Sequence, residues 1–231
     1  MINLDFIYDV ISSPWIYSSI ILIPIFVAYF SRNCFNLKNK HVLITGGSSG
    51  IGLETAKEYI KNDANITIVA RNINKLKEGA NLLKEYSHSI GKSHVKILYY
   101  SLDVSSSENE VNQTIQRAIS EMGRNVDVLV NCAGISLANE FHLTSASDFQ
   151  KLYQVNVIGS VMVTKAVLEG MRSNKNGRII FVSSQVAQVA IHGYTVLFSF
   201  SVFFSITIKF NFQTIKNILF ILGICCQQMG P

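Results

Sequence analysis

From His41 to Val182 short apolar runs alternate with amphipathic stretches. Val42-Leu43-Ile44 is the first apolar run, and a helix is predicted through Glu54-Thr55-Ala56-Lys57-Glu58-Tyr59. Ile66-Thr67-Ile68-Val69-Ala70 is short and β-branched, the pattern of a parallel strand buried on both faces. A charged helix around Lys75 to Tyr86 follows, then a strand over Val95–Tyr100. A helix from about Ser107 to Met122, capped by Ser105 or Ser106, precedes a fourth strand over Val126–Val130. Val161, Ala166 and Val167 suggest a helix of mixed face before the fifth strand, Arg178–Val182. Strand–helix alternation of this kind predicts an α/β fold, a doubly wound parallel sheet with about five strands.

The two ends of the chain break the pattern. No charged residue occurs between Asp9 and Arg32, a stretch long enough for a bilayer core that needs about 20 apolar residues. Pro14 and Pro24 are tolerable in such a helix if the freed carbonyls find partners. A cleaved signal peptide is the alternative, but the leading flank carries Asp5 and Asp9 rather than Lys or Arg, and no small-residue cleavage site is evident. Arg32, Lys38 and Lys40 follow the span, so the positive-inside rule places what comes after it in the cytosol. The expected organisation is a short lumenal segment (1–9), an uncleaved anchor (10–31), a basic linker (32–40), an α/β domain (41–195) and an apolar tail (196–231). In the tail, Lys209 and Lys216 divide two short runs, neither of which makes a clean spanning helix.

Composition narrows the function classes. At 231 residues, 48% hydrophobic and 15% charged, the chain is too apolar to be disordered. The net charge of +5 is mild and the basic residues are scattered along the sequence, so no nucleic-acid partner is expected. Cys34, Cys132, Cys225 and Cys226 lack metal-type spacing, and no metal is expected. Cys132 reads as buried filler rather than as a nucleophile.

The chemistry concentrates at the strand ends. Thr45-Gly46-Gly47-Ser48-Ser49-Gly50-Ile51-Gly52 follows the first strand and opens a helix. A glycine turn lets backbone approach a dinucleotide pyrophosphate, and the helix that follows aims unpaired N–H groups at its charge. Gly46, Ser48, Ser49, Gly50, Ile51 and Gly52 are therefore candidate cofactor contacts in a Rossmann-type fold. The second strand ends at Ala70-Arg71-Asn72. A free ribose 2′-hydroxyl favours Asp or Glu near this point, whereas Arg71 offers a planar cation suited to a 2′-phosphate. Lys75, four residues on, would share a helical face with it. Both could equally be solvated surface charges, but behind the glycine turn they favour NADPH. Asp103, followed by Val104, could accept a hydrogen bond from the adenine amino group or simply cap a helix. Asn131-Cys132-Ala133-Gly134 ends the fourth strand, where the small Ala133 and Gly134 would let the cofactor ribose approach.

Together these motifs resemble the short-chain dehydrogenase/reductase family. Thr45-Gly46-x-x-x-Gly50-Ile51-Gly52, Asp103-Val104, Asn131-x-Ala133-Gly134, Asn156 and Val182-Ser183-Ser184 stand in family order and spacing over about residues 41–195. The resemblance implies a seven-stranded parallel sheet, a nicotinamide dinucleotide and hydride transfer to a carbonyl carbon. It gives Ser184 the role of holding the substrate oxygen and Asn156 that of supporting a proton-relay water. Within the family the likeness runs to membrane-anchored reductases of long-chain sphingoid-base ketones. It is carried by Val69-Ala70-Arg71-Asn72 with Lys75-Leu76, Leu102-Asp103-Val104-Ser105 and Phe181-Val182-Ser183-Ser184-Gln185. That likeness implies NADPH, the endoplasmic reticulum membrane and sphingolipid synthesis. Anchored reductases of steroids or retinoids are the alternative, and a homo-oligomer is left open.

One departure matters. The family pattern places a proton-donating tyrosine at position 197 and a lysine at 201, where this chain has Leu197 and Ser201. Tyr194 has Phe198 four residues on and so cannot supply the pair. The loss is abrupt, which points to a retained intron or a misjoined exon rather than gradual divergence. The expectation is a chain that holds NADPH but turns over poorly, with an apolar edge on its fifth strand unless the tail covers it.

Overall fold

The computed structural model describes residues 35–184 and the backbone of residues 218–222. The anchor at 10–31, positions 194, 197 and 201 and most of the tail lie outside the described residues. No described helix is long and apolar enough to cross a membrane.

The described elements run β1 (His41–Thr45), α1 (Gly50–Lys61), β2 (Asn65–Ala70), α2 (Ile73–Ser89), β3 (Ile97–Ser101), α3 (Glu108–Met122) and β4 (Val128–Asn131), followed by α4 (Ala146–Tyr153), α5 (Ser160–Ser173), β5 (Arg178–Ser183) and β6 (Ile218–Leu222). A single π-helical turn, Gln154–Gly159, joins α4 to α5. The sheet is parallel throughout, in the order β3-β2-β1-β4-β5-β6. The five expected strands are present, and the order reverses between β1 and β4, where a doubly wound sheet opens its crevice.

The sixth strand comes from the tail. Ile218–Leu222 pairs with β5 in the register Ile179↔Ile218 to Ser183↔Leu222, so β5 has a neighbour on its outer side. A five-residue apolar run suits a parallel strand. Weighing the same run as a membrane span overlooks that fit.

Local sequence sets the element ends. Three serines precede α3, and Ser107 rather than Ser105 or Ser106 caps it, accepting from the Glu110 amide at 3.2 Å. Ser105 is already committed to Asp103, which leaves Ser107 to cap the helix. Gly123 ends α3 with φ +78, a left-handed cap. Asn72 caps α2 by accepting from the amides of Asn74 and Lys75. Arg71 thus precedes the cap, so Arg71 and Lys75 do not share a helical face; they flank the start of the helix.

The core lies between the sheet and its helices, with Leu43, Leu129, Ile179, Ile115 and Val163 fully enclosed. At the amino ends of β1 and β4 a polar cluster is buried beneath it. His41, 0% exposed, meets the Thr67 hydroxyl at 2.9 Å through Nε2 and the Arg124 carbonyl at 3.2 Å through Nδ1. That carbonyl can only accept, so Nδ1 carries the proton and Nε2 accepts from Thr67. The Asp127 carboxylate accepts from the His41 amide at 2.9 Å and pairs with Lys40 at 3.0 Å and Arg124 at 2.9 Å.

Candidate active site

The glycine turn is fixed by collisions that any side chain would cause. Gly46 has φ +69, and a Cβ there would lie 3.0 Å from the backbone of Ala133. A Cβ on Gly52 would lie 2.4 Å from the Gly46 carbonyl oxygen, so the first turn of α1 can press against the loop only as glycine. A Cβ on Gly79 of α2 would lie 3.0 Å from the Ser48 carbonyl oxygen. The turn is thereby clamped between α2 and the end of β4.

Thr45 supplies the remaining clamp. Its hydroxyl oxygen accepts from the amides of Cys132 and Ala133, both at 3.0 Å, and ties the end of β1 to the loop after β4. The Gly46 amide donates to the Val69 carbonyl at 2.8 Å, tying the same corner to β2. Beyond Gly50, α1 begins with no side-chain cap from Ser49 and no acidic residue in its first turn. Neither the cap residue nor the helix's own first turn therefore neutralises its positive end. Ile51 is half-buried behind it, and Ser48 and Ser49 make no side-chain hydrogen bond to a described residue.

The second and third strands bring charge to this corner. Arg71 is exposed at the end of β2, its carbonyl accepting from the Ser101 hydroxyl at 3.0 Å, and Lys75 is exposed in the first turn of α2. Asp103 follows β3 and accepts from the Ser105 amide at 2.9 Å and hydroxyl at 2.6 Å through Oδ1. Burial alone would raise this carboxyl. The Ser105 hydrogen bonds and the charge of Arg71 outweigh burial and hold Asp103 below the usual carboxylate range. Val104 is buried, and Gly159 of the π turn packs so closely that a Cβ there would lie 2.8 Å from its Cγ2.

On the other side of the switch point, Asn131 is buried and donates to the Thr164 hydroxyl at 3.1 Å. Asn156 stands in the π turn, and its amide group pairs with Ile135 in both directions. Oδ1 accepts from the Ile135 amide at 2.8 Å, and Nδ2 donates to the Ile135 carbonyl at 2.9 Å. The side chain is thus spent on holding the loop after β4, leaving the main-chain carbonyl of Asn156, which accepts from the Ser160 hydroxyl at 3.2 Å. Gly134 is open to solvent and 3.3 Å from Asn156 Oδ1 at its Cβ position. Cys132 is half-buried rather than buried as filler. Ser184 is half-buried directly after β5.

The fold therefore gathers the glycine turn, Arg71, Lys75, Asp103, Val104, Asn131, Ala133, Gly134 and Ser184 along the carboxyl ends of β1 to β5, and brings Asn156 beside Gly134 through the π turn. Gly79, Gly159 and Ile135 are positioning residues that sequence reasoning misses, and Thr45, quoted there only as the start of the glycine motif with no role of its own, is a fourth. A threonine between a buried strand and a glycine turn is the one signal that could have pointed to Thr45. Among the described residues no group of His, Cys, Asp or Glu could hold a metal ion.

Residues 40–197 match the family model described as short chain dehydrogenase. A 3-ketodihydrosphingosine reductase of Mus musculus is 43% identical over 159 residues, 69% of this chain and 47% of that relative. The chain spans about half the length of the curated relatives it matches. Among solved structures, L-sorbose reductase of Gluconobacter frateurii complexed with NADPH and L-sorbose is 28% identical with a TM-score of 0.67, over 75% of this chain and 65% of that one. NAD+-bound xylitol dehydrogenase is 25% identical with a TM-score of 0.67, over 75% and 64%.

Proposed function

The chain belongs to the short-chain dehydrogenase/reductase family, and from that premise we propose that it forms the cofactor-holding part of an NADPH-dependent reductase of a long-chain sphingoid-base ketone, 3-dehydrosphinganine, whose product is sphinganine. The substrate class rests on the 43% identity to a relative named for that activity. The observation that carries the cofactor reading is Arg71, exposed at the end of β2 beside a glycine turn, where an acid would favour a free 2′-hydroxyl.

The residues present fit the cofactor. The cradle between Gly46, Gly52 and Ala133 admits backbone and no side chain, and α1 presents an N-terminus with no acidic residue in its own first turn. Arg71 and Lys75 would hold the 2′-phosphate, and Asp103, ionised, would accept from the adenine amino group. Asn131, Ala133 and Gly134 would border the ribose. When bound, NADPH supplies a hydride to the carbonyl carbon. Ser184 would hold the ketone oxygen by a hydrogen bond, and the Asn156 carbonyl would support a water on the proton path.

The chain's own contribution stops there. With Leu197 and Ser201 in place of the tyrosine and lysine, the chain lacks the proton-donating pair at the positions where the family pattern puts it. General acid catalysis contributes about 10²–10⁴-fold, so this chain binds NADPH and turns over slowly. The uncharged stretch from Val10 to Ser31 anchors it in the endoplasmic reticulum membrane with the α/β domain in the cytosol.

Full-length protein in detergent is titrated with NADPH by fluorescence, then assayed for NADPH oxidation with 3-dehydrosphinganine. Saturable NADPH binding with little turnover is expected. Turnover at the rate of a tyrosine-containing family member refutes the impairment, and failure to bind NADPH refutes the cofactor reading.

A further inference from the structure

The loop that leaves β4 turns its largest apolar side chains outward. All strands are parallel, so the loop starts on the carboxyl-end side, where Ile135 is bonded to Asn156 in both directions. It then passes Asn139 and Glu140 into a 3₁₀ turn, Phe141–Leu143, before α4 begins. Phe141 is 66% exposed and Leu143 61%, the highest values among the described large apolar residues, with Leu82 next at 50%. Single exposed apolar residues are ordinary, whereas two such side chains within one turn make a patch.

The exposure is built in. Asn139 brackets the turn, its Oδ1 accepting from the Glu140 amide at 3.0 Å and its Nδ2 donating to the Leu143 carbonyl at 3.1 Å. The Thr144 hydroxyl donates to the Glu140 carbonyl at 2.9 Å, and Ser145 with Asp148 forms a capping box at the start of α4. The Phe141 ring meets Phe149 edge-on, with centroids 6.1 Å apart. These contacts fix the tip, so Phe141 and Leu143 are held out rather than folded onto the domain.

The helix that follows sets where the tip points. α4 continues through the π turn into α5 with helical dihedrals at Gln154 and Ser160, and α5 ends just before the start of β5. Its other end therefore projects past the carboxyl ends of the strands. The eight residues of α4 rise about 12 Å, which sets the tip about that far beyond the π turn.

Area and charge select the occupant. Phe141 and Leu143 together expose about 200–300 Å², short of the roughly 800 Å² per partner of a stable protein interface, which argues against a second copy. The charged residues between Ile135 and Lys151 are Glu140, His142, Asp148 and Lys151, and His142 lies 3.4 Å from the Glu140 carboxylate. That mixture holds no basic cluster to draw anionic headgroups. An apolar boundary layer suits the tip, because shallow insertion of about 5–10 Å covers an aromatic ring and a leucine on a rigid projection.

We propose that the Phe141–Leu143 turn dips into the acyl-chain boundary of a lipid leaflet and holds the carboxyl-end crevice toward it. The inference rests on the long-chain-ketone reading above and deepens it: such a ketone dissolves in the leaflet, and Gly134, Asn156 and Ser184 then face its source. Arg71 and Lys75 follow β2, two strands from β4 in the sheet, so the contact is made on the other side of the switch point from them.

Lipid photolabelling tests this on the full-length chain. The protein is reconstituted into vesicles of phosphatidylcholine that include a phosphatidylcholine with a diazirine on its acyl chain, irradiated, digested with trypsin and read by mass spectrometry. An adduct is expected in the peptide Asn125–Lys151, localised by fragmentation to 140–149. None is expected in Glu78–Lys84, which carries the half-exposed Leu82. Phe141→Ser with Leu143→Ser should lower the adduct about tenfold or more with the circular dichroism spectrum unchanged. Added phosphatidylserine or high salt should leave it unchanged. Absence of the adduct from 140–149, or equal labelling of Glu78–Lys84, overturns the proposal. So does displacement by a few mole per cent of sphinganine, which would make the turn a subsite for the substrate's chain. Absence of the adduct in protein that binds NADPH overturns the contact and leaves the reductase reading standing. Its presence in protein that fails to bind NADPH supports the contact and refutes that reading.

Discussion

Acid should unfold this domain through one imidazole. His41 is wholly enclosed at the start of β1, and burial lowers its pKa from 6.5 to about 4. The hydrogen bond to the Arg124 carbonyl and the charge of Asp127 pull the other way without reversing the effect. In the unfolded chain the imidazole takes a proton at 6.5, and in the folded chain only near 4. Between those values the unfolded state binds more protons, so stability rises with pH. The contribution is fully present above 6.5 and is lost as the pH falls toward about 4. At about 1.4 kcal/mol per pH unit the loss comes to about 3 kcal/mol, a large part of the stability of a single domain. Asp63, Asp103 and Asp148, whose carboxyls sit below the ordinary 3.8, add a further loss only at more acid pH. Urea denaturation of the full-length chain in detergent from pH 7 to pH 4.5, followed by far-ultraviolet circular dichroism, reads the slope. The control is His41→Gln, which keeps a polar group facing Thr67 and does not titrate. Wild type should lose about one proton's worth of slope more than the variant across this window. Parallel slopes for the two proteins would show that protonation of His41 is not what the folded state resists.

Four further outcomes follow from the site. Gly52→Ala drives a methyl to 2.4 Å from the Gly46 oxygen and should cost about 3 kcal/mol by urea denaturation, with NADPH binding lost. Thr45→Val strips the acceptor from two amides and should cost about 1–3 kcal/mol while weakening NADPH affinity measured by fluorescence titration. Arg71→Asp should weaken NADPH about 10–100-fold in the same titration and leave NADH no weaker than before. Leu197→Tyr combined with Ser201→Lys should raise 3-dehydrosphinganine-dependent NADPH oxidation by about 10²–10⁴-fold if the chain beyond residue 184 places them at the site, with NADPH affinity changed far less.

The strands were the legible part of this sequence because each is a run of β-branched and aliphatic residues too short for a helix and closed by a turn. The glycine turn was legible for a different reason: only glycine tolerates the contacts Gly46 and Gly52 make. What the one-dimensional pattern hides is competition among neighbours. Ser105, Ser106 and Ser107 are equivalent caps on paper, yet Ser105 is bonded to Asp103, the Ser106 hydroxyl is buried away from the helix amides, and Ser107 makes the cap. Asn156 carries no hint that its side chain mimics a strand partner for Ile135, because that pairing exists only once the π turn brings the two together.

The parallel sheet topology is the ground for expecting binding and turnover to be separable in this chain. The described contacts that shape the proposed cofactor cradle lie before residue 184: Thr45 to Cys132 and Ala133, Gly79 to Ser48, Gly159 to Val104, and Asn156 to Ile135. Each joins elements that are themselves paired in the sheet or packed on it, so the cradle is set once β1 to β4 and their helices have assembled. The family pattern puts the proton donor in a later segment, at position 197, and none of these described bonds involves that segment. What the later chain must still provide is cover for β5, whose Ile179, Ile180 and Phe181 are buried. Ile218–Leu222 meets that need by pairing along β5. A polar substitution within 218–222 should therefore lower stability, whereas restoring the pair at 197 and 201 should raise rate with little effect on NADPH affinity. Tail substitutions that abolish binding while the sheet stays folded would contradict this division of labour.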